Sequence, residues 1–498
     1  MHQTISLIIV FAGAIGAALA ACAIMVGTVQ LTSRRAHGYL HLIFYVMVLL
    51  VAMSTLLSGR DMSIVSLALE EPRPMPRHPI MQWVQPMLSL FMLTAAGERI
   101  LTHWLRPGRT TSTPTTLLVS FMVFWLCTVA SPAFLGAHPF ISHDYAYPLI
   151  LGIGAVLVNG IERDLAFKAA RDALMLFMLA GLLLIPVQPG LVLDTSYTQG
   201  LLPGVPRLGG LAAHPVSLSV LAQLGLICLL AFPYQRVWLN RFAWIVGLTV
   251  LFLAQSKTTW ISFALCCIGF LLVRQGPHFS RRIGNPAHPE FGILSIVLVM
   301  LSVLTVGLVL MFGDLGTRID NFFNSAEGVQ LATLTGRDKI WAIAYEEWNR
   351  NPVFGYGPLI WETDFRISIG MPNATHAHNQ FMDTLSRSGT VGAAALVMYA
   401  IVLLVMSVRY TRKSNGLTLA LFILLAIRSI SEVPFLLFGY SPEFITHLLL
   451  LMSISAIAND ARLQNTSKTS TASPDKYSGE YSSHFPGAHP LSTTRTRA

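Results

Sequence analysis

The residues with chemistry to offer are few, and they gather in a few places. Thr375-His376-Ala377-His378-Asn379-Gln380-Phe381 puts two imidazoles two positions apart, directly before an apolar run. Thr335-Gly336-Arg337-Asp338 opens a helical run, with Thr335 as N-cap and Asp338 three residues on, in capping-box spacing. Arg207 is the only Arg or Lys of the segment 188–214, flanked by Gly and Pro, and Lys257 sits in the short turn Gln255-Ser256-Lys257-Thr258-Thr259. Arginine presents a planar fork of donors that matches phosphate oxygens. Arg207 and Arg337 together suit a diphosphate leaving group, neutralising the charge that develops as a sugar–phosphate bond breaks. A neutral His378 suits the proton of an attacking sugar hydroxyl. That chemistry needs no nucleotide, metal or other cofactor. His376 and His378 diverge on a helix and have no fitting third ligand nearby in sequence, so no metal site is expected.

Each of these residues also has a plainer reading. Arg337 can pair with Asp338, His378 can be an ordinary interfacial histidine, and Lys257 can anchor a turn at the membrane surface. Arg428 and Glu432 lie four apart within one apolar run. An intramembrane charge is a functional candidate, yet an intrahelical ion pair explains the spacing equally well.

The elements that must position these groups are spans. Of the 498 residues 53% are apolar and 11% charged, against about 25% charged in an ordinary soluble domain. A soluble enzyme, a disordered chain and a nucleic-acid partner are excluded; the net charge of +9 is scattered through connecting segments. Cys22, Cys127, Cys228, Cys266 and Cys267 all lie in apolar runs, so neither a disulfide framework nor a cysteine metal site is expected. Candidate spans fall near 6–29, 39–58, 80–97, 116–136, 146–160, 172–188, 215–233, 242–255, 258–274, 292–312, 388–409, 417–437 and 443–458, giving eleven to thirteen transmembrane helices. The expected fold class is an all-α polytopic membrane protein.

One alternating set of short loops is dense in basic residues, Arg34, Arg35, Arg99, Arg163, Arg236, Arg281 and Arg412 among them. The opposite set holds Arg60, Arg73, Arg77, Arg207 and Lys257. The dense set is expected to be cytoplasmic. That orientation puts two polar segments on the periplasmic side, 188–214 and a loop of 313–387 too long to be a plain connector. Within the loop, Ile340, Ala344 and Trp348 share a face with Trp341 and Tyr345 beside them, while Glu346, Glu347 and Asn349 lie elsewhere. This is an amphipathic helix at the membrane surface or roofing a cavity, ended by Asn351-Pro352, and Arg337 near its start suits an anion. The chain divides into N-terminal spans over 1–200, a functional membrane region over 201–458, and a Ser/Thr-rich tail over 459–498 expected to be disordered in the cytoplasm.

Taken in order, these motifs resemble the O-antigen ligase and polysaccharide polymerase superfamily. The run Arg207-Leu-Gly-Gly-Leu-Ala-Ala-His-Pro is similar to its Arg-x-x-Gly segment, and Gln255-Ser-Lys-Thr-Thr-Trp260 to its Ser-Arg/Lys-Thr segment. Thr335-Gly-Arg-Asp-Lys-Ile-Trp341, Asn351-Pro-Val-Phe-Gly-Tyr-Gly357 and His376-Ala-His-Asn379, with Gly389 and Gly392, resemble its signature outer loop. The resemblance spans roughly 200–440. It departs at His214-Pro215-Val216-Ser217, where many members have Asn. It implies a metal-independent glycosyltransferase of the polytopic, GT-C-like lipid-donor class, in the bacterial inner membrane with its site facing the periplasm. The donor it implies is a glycan on undecaprenyl diphosphate. By motif, Arg207 and Arg337 would hold the diphosphate and His378 would serve the acceptor hydroxyl, with Lys257, His376, Asn379 and Arg428 as further substrate contacts. The segment Ile427-Arg428-Ser429-Ile430-Ser431-Glu432 tilts the expectation to an exopolysaccharide polymerase, with lipopolysaccharide ligation onto lipid A–core as the alternative and a lipid-linked glycan flippase as the alternative of another class. A flippase and a chain-length regulator are the expected protein partners.

Overall fold

The computed structural model describes residues 37–62, 78–105, 114–195, 204–283, 337–372 and 374–471, with a few isolated positions near 22–30 and 293–301. The expected spans 6–29 and 292–312 therefore lie almost wholly outside the described residues. So do Thr335, Gly336, and Arg34, Arg35, Arg73 and Arg77 of the orientation argument. Every other expected run has a helix at its place. In chain order these are α1 (Ile43–Leu56, entered through a 3-10 turn at Leu40–Leu42), α2 (Met81–Leu105), α3 (Thr115–Leu135), α4 (Ala146–Val156), α5 (Gly160–Leu183), α6 (Pro215–Ala231), α7 (Val237–Leu253) and α8 (Lys257–Ile283). The long loop contributes α9 (Arg337–Arg350) and α10 (Thr363–Ser368), followed by α11 (Gln380–Tyr410), α12 (Leu417–Ser431) and α13 (Pro442–Thr471). The chain is an all-α polytopic membrane protein. The only sheet among the described residues is a two-residue antiparallel pair, Leu193–Asp194 with Arg207–Leu208.

Four described helices are long and apolar enough to cross a membrane: Thr115–Leu135, Lys257–Gly276, Gln380–Tyr410 and Pro442–Asp460. Their burial sorts them. In the α13 window 89% of residues are buried, against 22% in α8, so α13 is the central post and α8 lies at the rim. Two helices run past the expected apolar limits. Helix α5 begins at Gly160 because Asn159 and Glu162 form a reciprocal capping box. Glu162 then stays buried by pairing with Arg99 at 3.1 Å, so a charged turn read as loop is helix. Helix α13 continues past Asn459 to Thr471, into the segment expected to be disordered; residues 472–498 lie outside the described part.

Around α13 the interior is apolar with a few paired polar groups. Tyr399 of α11 stacks on Phe124 of α3 with ring centroids 4.6 Å apart, and its hydroxyl meets His447 Nε2 of α13 at 2.6 Å. Ser219 of α6 meets Thr259 of α8 at 2.9 Å, and Gln223 Nε2 donates to Ser262 Oγ at 2.9 Å. Such pairs join helices where no water can satisfy a polar group.

One irregularity organises the site end of the bundle. Helix α11 is broken at Gly389, whose φ of 63° and ψ of −162° are accessible in practice only to glycine. The break strips helical partners from backbone groups on both sides, and the segment 352–357 supplies replacements. Tyr356 N–H donates to Ser386 O (2.8 Å) and Gly357 N–H to Arg387 O (3.0 Å). Thr390 N–H donates to Pro352 O (2.8 Å) and Val391 N–H to Val353 O (3.2 Å). Opposite lies a second irregularity, the π turn of α3 at Leu126–Ala130. Pro132 has no N–H to offer the Thr128 carbonyl, and Ser388 Oγ donates to it instead at 2.9 Å.

A Cβ at Gly389 would collide with the Val353 carbonyl. The variant Gly389→Ala should lose at least about 1–3 kcal/mol from backbone strain alone, read as a lowered melting midpoint of the detergent-solubilised protein. A midpoint equal to the parent's would show that the break does not hold the loop.

Candidate functional site

The long loop folds as a cap with its own small core, made by Ile340, Ala344, Ile360, Trp361, Phe365, Ala374 and Ala377. Helix α9 lies over the histidine segment: Ile340 and Ala344 face inward as the periodicity implies, and Trp341 Nε1 donates to Ala377 O at 2.8 Å. Glu347 departs from expectation. It is buried rather than outward, because Arg350 Nη1 donates to it at 2.6 Å.

The segment beneath α9 is held from several sides before α11 begins. Asn379 is the N-cap of α11, its Oδ1 accepting from Met382 N–H at 3.0 Å, while its Nδ2 reaches Ile430 O of α12 at 3.3 Å. Asp383, one turn into α11, is buried; it accepts from Ala377 N–H (3.1 Å) and from Arg387 Nε (3.2 Å). Arg387 donates on to Pro358 O at 2.6 Å, so one carboxylate ties the histidine loop to the cap. His378 itself has φ 49°. This left-handed conformation is uncommon for a residue with a side chain, and His is one of the types that tolerates it. It turns the His378 N–H toward His376 Nδ1, 3.1 Å away.

Both imidazoles converge on Glu432, the residue that ends α12. Its Oε2 lies 3.2 Å from His376 Nε2 and 3.6 Å from His378 Nδ1. Arg428 approaches Oε1 of Glu432 at 3.9 Å and Oε1 of Glu443, at the start of α13, at 3.3 Å. The i, i+4 spacing of Arg428 and Glu432 thus does not mark a tight intrahelical pair. Each residue has its shorter contact elsewhere. Burial alone would push the Glu432 carboxyl up; the adjacent His376 and His378 imidazoles, with the nearby Arg428 charge, outweigh it and hold the group well below the usual carboxylate range.

Hydrogen bonding assigns the tautomers. His376 Nδ1 accepts the His378 N–H, so a neutral His376 carries its proton on Nε2 and donates it to Glu432. His378 Nδ1 is buried without a hydrogen-bond partner among the described residues, and the nearby Glu432 carboxylate lies 3.6 Å away. A proton on Nδ1 faces that negative charge and leaves the lone pair on Nε2. This is the carboxylate–imidazole arrangement in which the carboxylate fixes ring orientation and stabilises the imidazolium.

His376, His378 and Glu432 also bring three possible metal ligands within 4.8 Å of one another, which sequence spacing did not foretell. The tautomer works against a metal there. A ligating histidine normally donates its second nitrogen's proton to the protein, whereas His376 Nδ1 accepts.

Three arginines surround the cluster unequally. Arg337, first residue of α9, is half-buried and close enough to Glu432 and Arg428 to feel both charges; burial lowers its pKa. Arg428 is almost completely buried, and its Nε and Nη1 have no hydrogen-bond partner among the described residues. Arg207 is buried in the short strand and donates from Nε to Ala254 O at 2.9 Å. The turn before α8 grips the same loop through Gln255 Nε2 to Val205 O (3.0 Å), and Arg60 donates to Leu191, Gly210 and Ala213 carbonyls. His214 caps α6 between these groups. Its Nδ1 accepts from Val216 N–H at 3.2 Å; burial lowers its pKa, Arg207 and Arg60 lower it further, and Glu432 and Asp194 raise it. Lys257 is exposed at the start of α8, and no hydrogen bond or ion pair joins it to the cluster among the described residues. The structure thus brings His376, His378, Asn379, Arg337 and Arg428 of the sequence reading together around Glu432, which that reading places only beside Arg428, and adds Glu443, His214 and Asp383, which it does not single out.

The polytopic helical bundle is capped by a folded loop, with histidines, a carboxylate and arginines gathered under the cap. A family model described as O-antigen ligase matches residues 242–397. The match supports the resemblance of this region to the O-antigen ligase and polymerase superfamily. The match includes Lys257, Arg337, His376, His378 and Asn379, and it leaves Arg207, Arg428 and Glu432 outside. No curated protein matches the chain in sequence.

Glu432→Gln keeps the shape and removes the charge. It should destabilise the protein by about 1.5–3 kcal/mol, the range for a hydrogen bond to a charged group. The Glu432 pKa is depressed on folding, so its contribution is complete above the ordinary carboxyl value of 4.5 and is lost as pH falls through the folded value. The melting difference between parent and variant should persist at pH 5 and shrink only below about pH 4.5. A difference already gone at pH 5 would contradict the assignment.

Proposed function

We propose that the protein is an inner-membrane polysaccharide polymerase that moves a growing glycan from undecaprenyl diphosphate onto a lipid-linked repeat unit on the periplasmic side. The observation that carries this reading is the convergence of His376 and His378 on Glu432, with Arg428 and Arg337 in electrostatic reach. The acceptor sugar hydroxyl attacks the anomeric carbon of the donor glycan. The new C–O bond forms as the bond from that carbon to the diphosphate oxygen breaks. The hydroxyl proton passes to His378 Nε2, and the electron pair leaves on the diphosphate. Glu432 stabilises the resulting imidazolium, and Arg337 and Arg428 face the developing phosphate charge, Arg428 with two donors that no described protein group occupies. Arg207 supports the same leaving group from the neighbouring loop. His376 and Asn379 hold the histidine segment in place, and Lys257 is left to a contact at the rim. The reaction uses no metal or cofactor.

The O-antigen ligase description of the matched family favours a second reading, transfer of the same donor glycan to lipid A–core. The two differ only in the acceptor. Deleting the gene and sizing the lipid-linked glycans separates them. Single repeats alone on the carrier support the polymerase, and long chains stranded on the carrier support the ligase. An unchanged profile in a strain without a paralogue would count against both.

His378→Ala should lower transfer by about 10²–10⁴-fold at parental protein levels; normal polymer would remove the catalytic role. Arg337→Lys keeps the charge and loses the fork, and it should still fail if the contact to phosphate is bidentate. Full activity in that variant would remove the argument from the fork.

A further inference from the structure

A cavity of about 150 Å³ opens between α5, α8, α13 and the turn that joins α11 to α12. Helix α11 starts at the histidine segment and ends at this turn, so its 31 residues separate the cavity from the site under the cap. The proposed transfer does not use it. Arg163 of α5, Arg274 of α8 and Lys413 of the turn all line it, with Asn415 beside Lys413 and Ser453 of α13. Arg274 and Lys413 are exposed at its mouth, whereas Ser453 is fully buried at its inner wall.

The bias of basic residues toward one side of a membrane accounts for cations at this end of the bundle. It does not account for three of them, from three separate elements, lining one recess. Nor does it account for Ser453, whose buried Oγ has no hydrogen-bond partner among the described residues. A buried hydroxyl left unpaired is costly, and a ligand with acceptor oxygens would satisfy it.

The cations are only partly engaged by the protein. Asp164 takes Arg163 Nε and Nη2 at 2.8 and 2.6 Å, which leaves Nη1. Arg274 lies over the Phe270 ring at 5.1 Å and reaches Leu230 O only at 3.5 Å. Lys413 makes no hydrogen bond or ion pair among the described residues, although the turn that carries it is fixed by Ser414 and Thr418, 3.0 Å apart. Guanidinium forks, an ammonium and neutral donors together match an anion with several acceptor oxygens, and a phosphate group is such an anion. One water needs about 10–15 Å³ of cavity, so a phosphate group fits. Basic pockets between transmembrane helices are also where anionic lipid head groups bind. Leu271 and Leu272, next to Arg274 on the rim helix, are exposed and offer acyl chains an apolar surface.

We infer that this cavity binds a phosphate group, carried by an anionic lipid or free in solution, and that the bound group ties the α11–α12 turn to α5, α8 and α13. The histidine segment and Glu432 lie at the far ends of the two helices that the turn joins. Occupancy therefore braces the pair of helices that hold the site.

The test reads the melting midpoint of the purified full-length chain in a neutral detergent, since a ligand of the folded state raises it. Inorganic phosphate is titrated at constant ionic strength, and phosphatidylglycerol is titrated separately against phosphatidylcholine. A rise with phosphate shows that the free ion suffices, and a rise with phosphatidylglycerol alone assigns the cavity to the lipid head group. No rise with phosphate, together with none beyond that given by phosphatidylcholine, overturns the site. Lys413→Gln should weaken binding about tenfold, the loss of one charge-assisted hydrogen bond. Arg236→Gln makes the same change before α7, outside the lining, and should leave binding as in the parent. An equal loss in both variants would mean diffuse attraction to a basic surface and overturns the site. Ser453→Ala should melt no lower than the parent without ligand, because its hydroxyl has no partner to lose, yet it should bind more weakly. Unchanged binding in Ser453→Ala and Lys413→Gln overturns the inference.

Discussion

A helix broken inside a membrane protein leaves backbone donors and acceptors that lipid cannot satisfy, and the site depends on how this chain answers that constraint. At Gly389 the segment 352–357 lies along α11 and takes up freed groups on both sides of the break. The same hydrogen bonds that repair the helix also fasten the cap. Gly355 and Gly357 are required there because a side chain would strike the α11 backbone or the His138 carbonyl. The upper part of α11, from Gln380 to Ser388, is thereby set off from the lower span and carries the histidine segment at its start.

From that platform the contacts run in one direction. Asp383 fixes the loop above it, Asn379 reaches α12, and Glu432 at the end of α12 gathers both imidazoles. Glu443 brings in α13 through Arg428. Three spans and one cap thus meet in a network whose members are separately weak. A buried carboxylate is costly unless paired, and Glu432 meets that requirement by drawing on groups from different elements. The positions of the two histidines follow from its need for partners as much as from their own loop.

Much of the bundle was legible in the sequence because its signal is local. An apolar run bounded by polar residues reports a span without knowledge of its neighbours, and all the described runs became helices. The limits were less legible where a pair across the fold extended a helix, as Arg99 does for Glu162. In the site, His376, His378, Asn379 and Arg337 stood out by motif and spacing. Glu432 stood out only beside Arg428, four residues away, and its place with the histidines was hidden because they lie more than fifty residues back. Glu347 was misplaced for a related reason: periodicity treats an acidic residue as outward, and only the three-dimensional position of Arg350 allows it to turn in. The metal-like convergence of three side chains was equally invisible, since two come from a loop and one from a helix end.

The depth of α13 bears on how the chain is made. It is the last described helix in sequence and the most enclosed of the four long spans, and it carries His447, Ser453 and Ser455 to the middle of the bundle. During synthesis the earlier spans must wait in the bilayer around a vacancy that this helix fills last. A ribosome that stops short of residue 442 leaves Arg428 without Glu443 and Tyr399 without His447, with interior faces open to lipid and to proteases. The order of the helices along the chain thus makes α13 a condition for assembling the site, since Arg428 and Tyr399 meet their α13 partners only once it is in place.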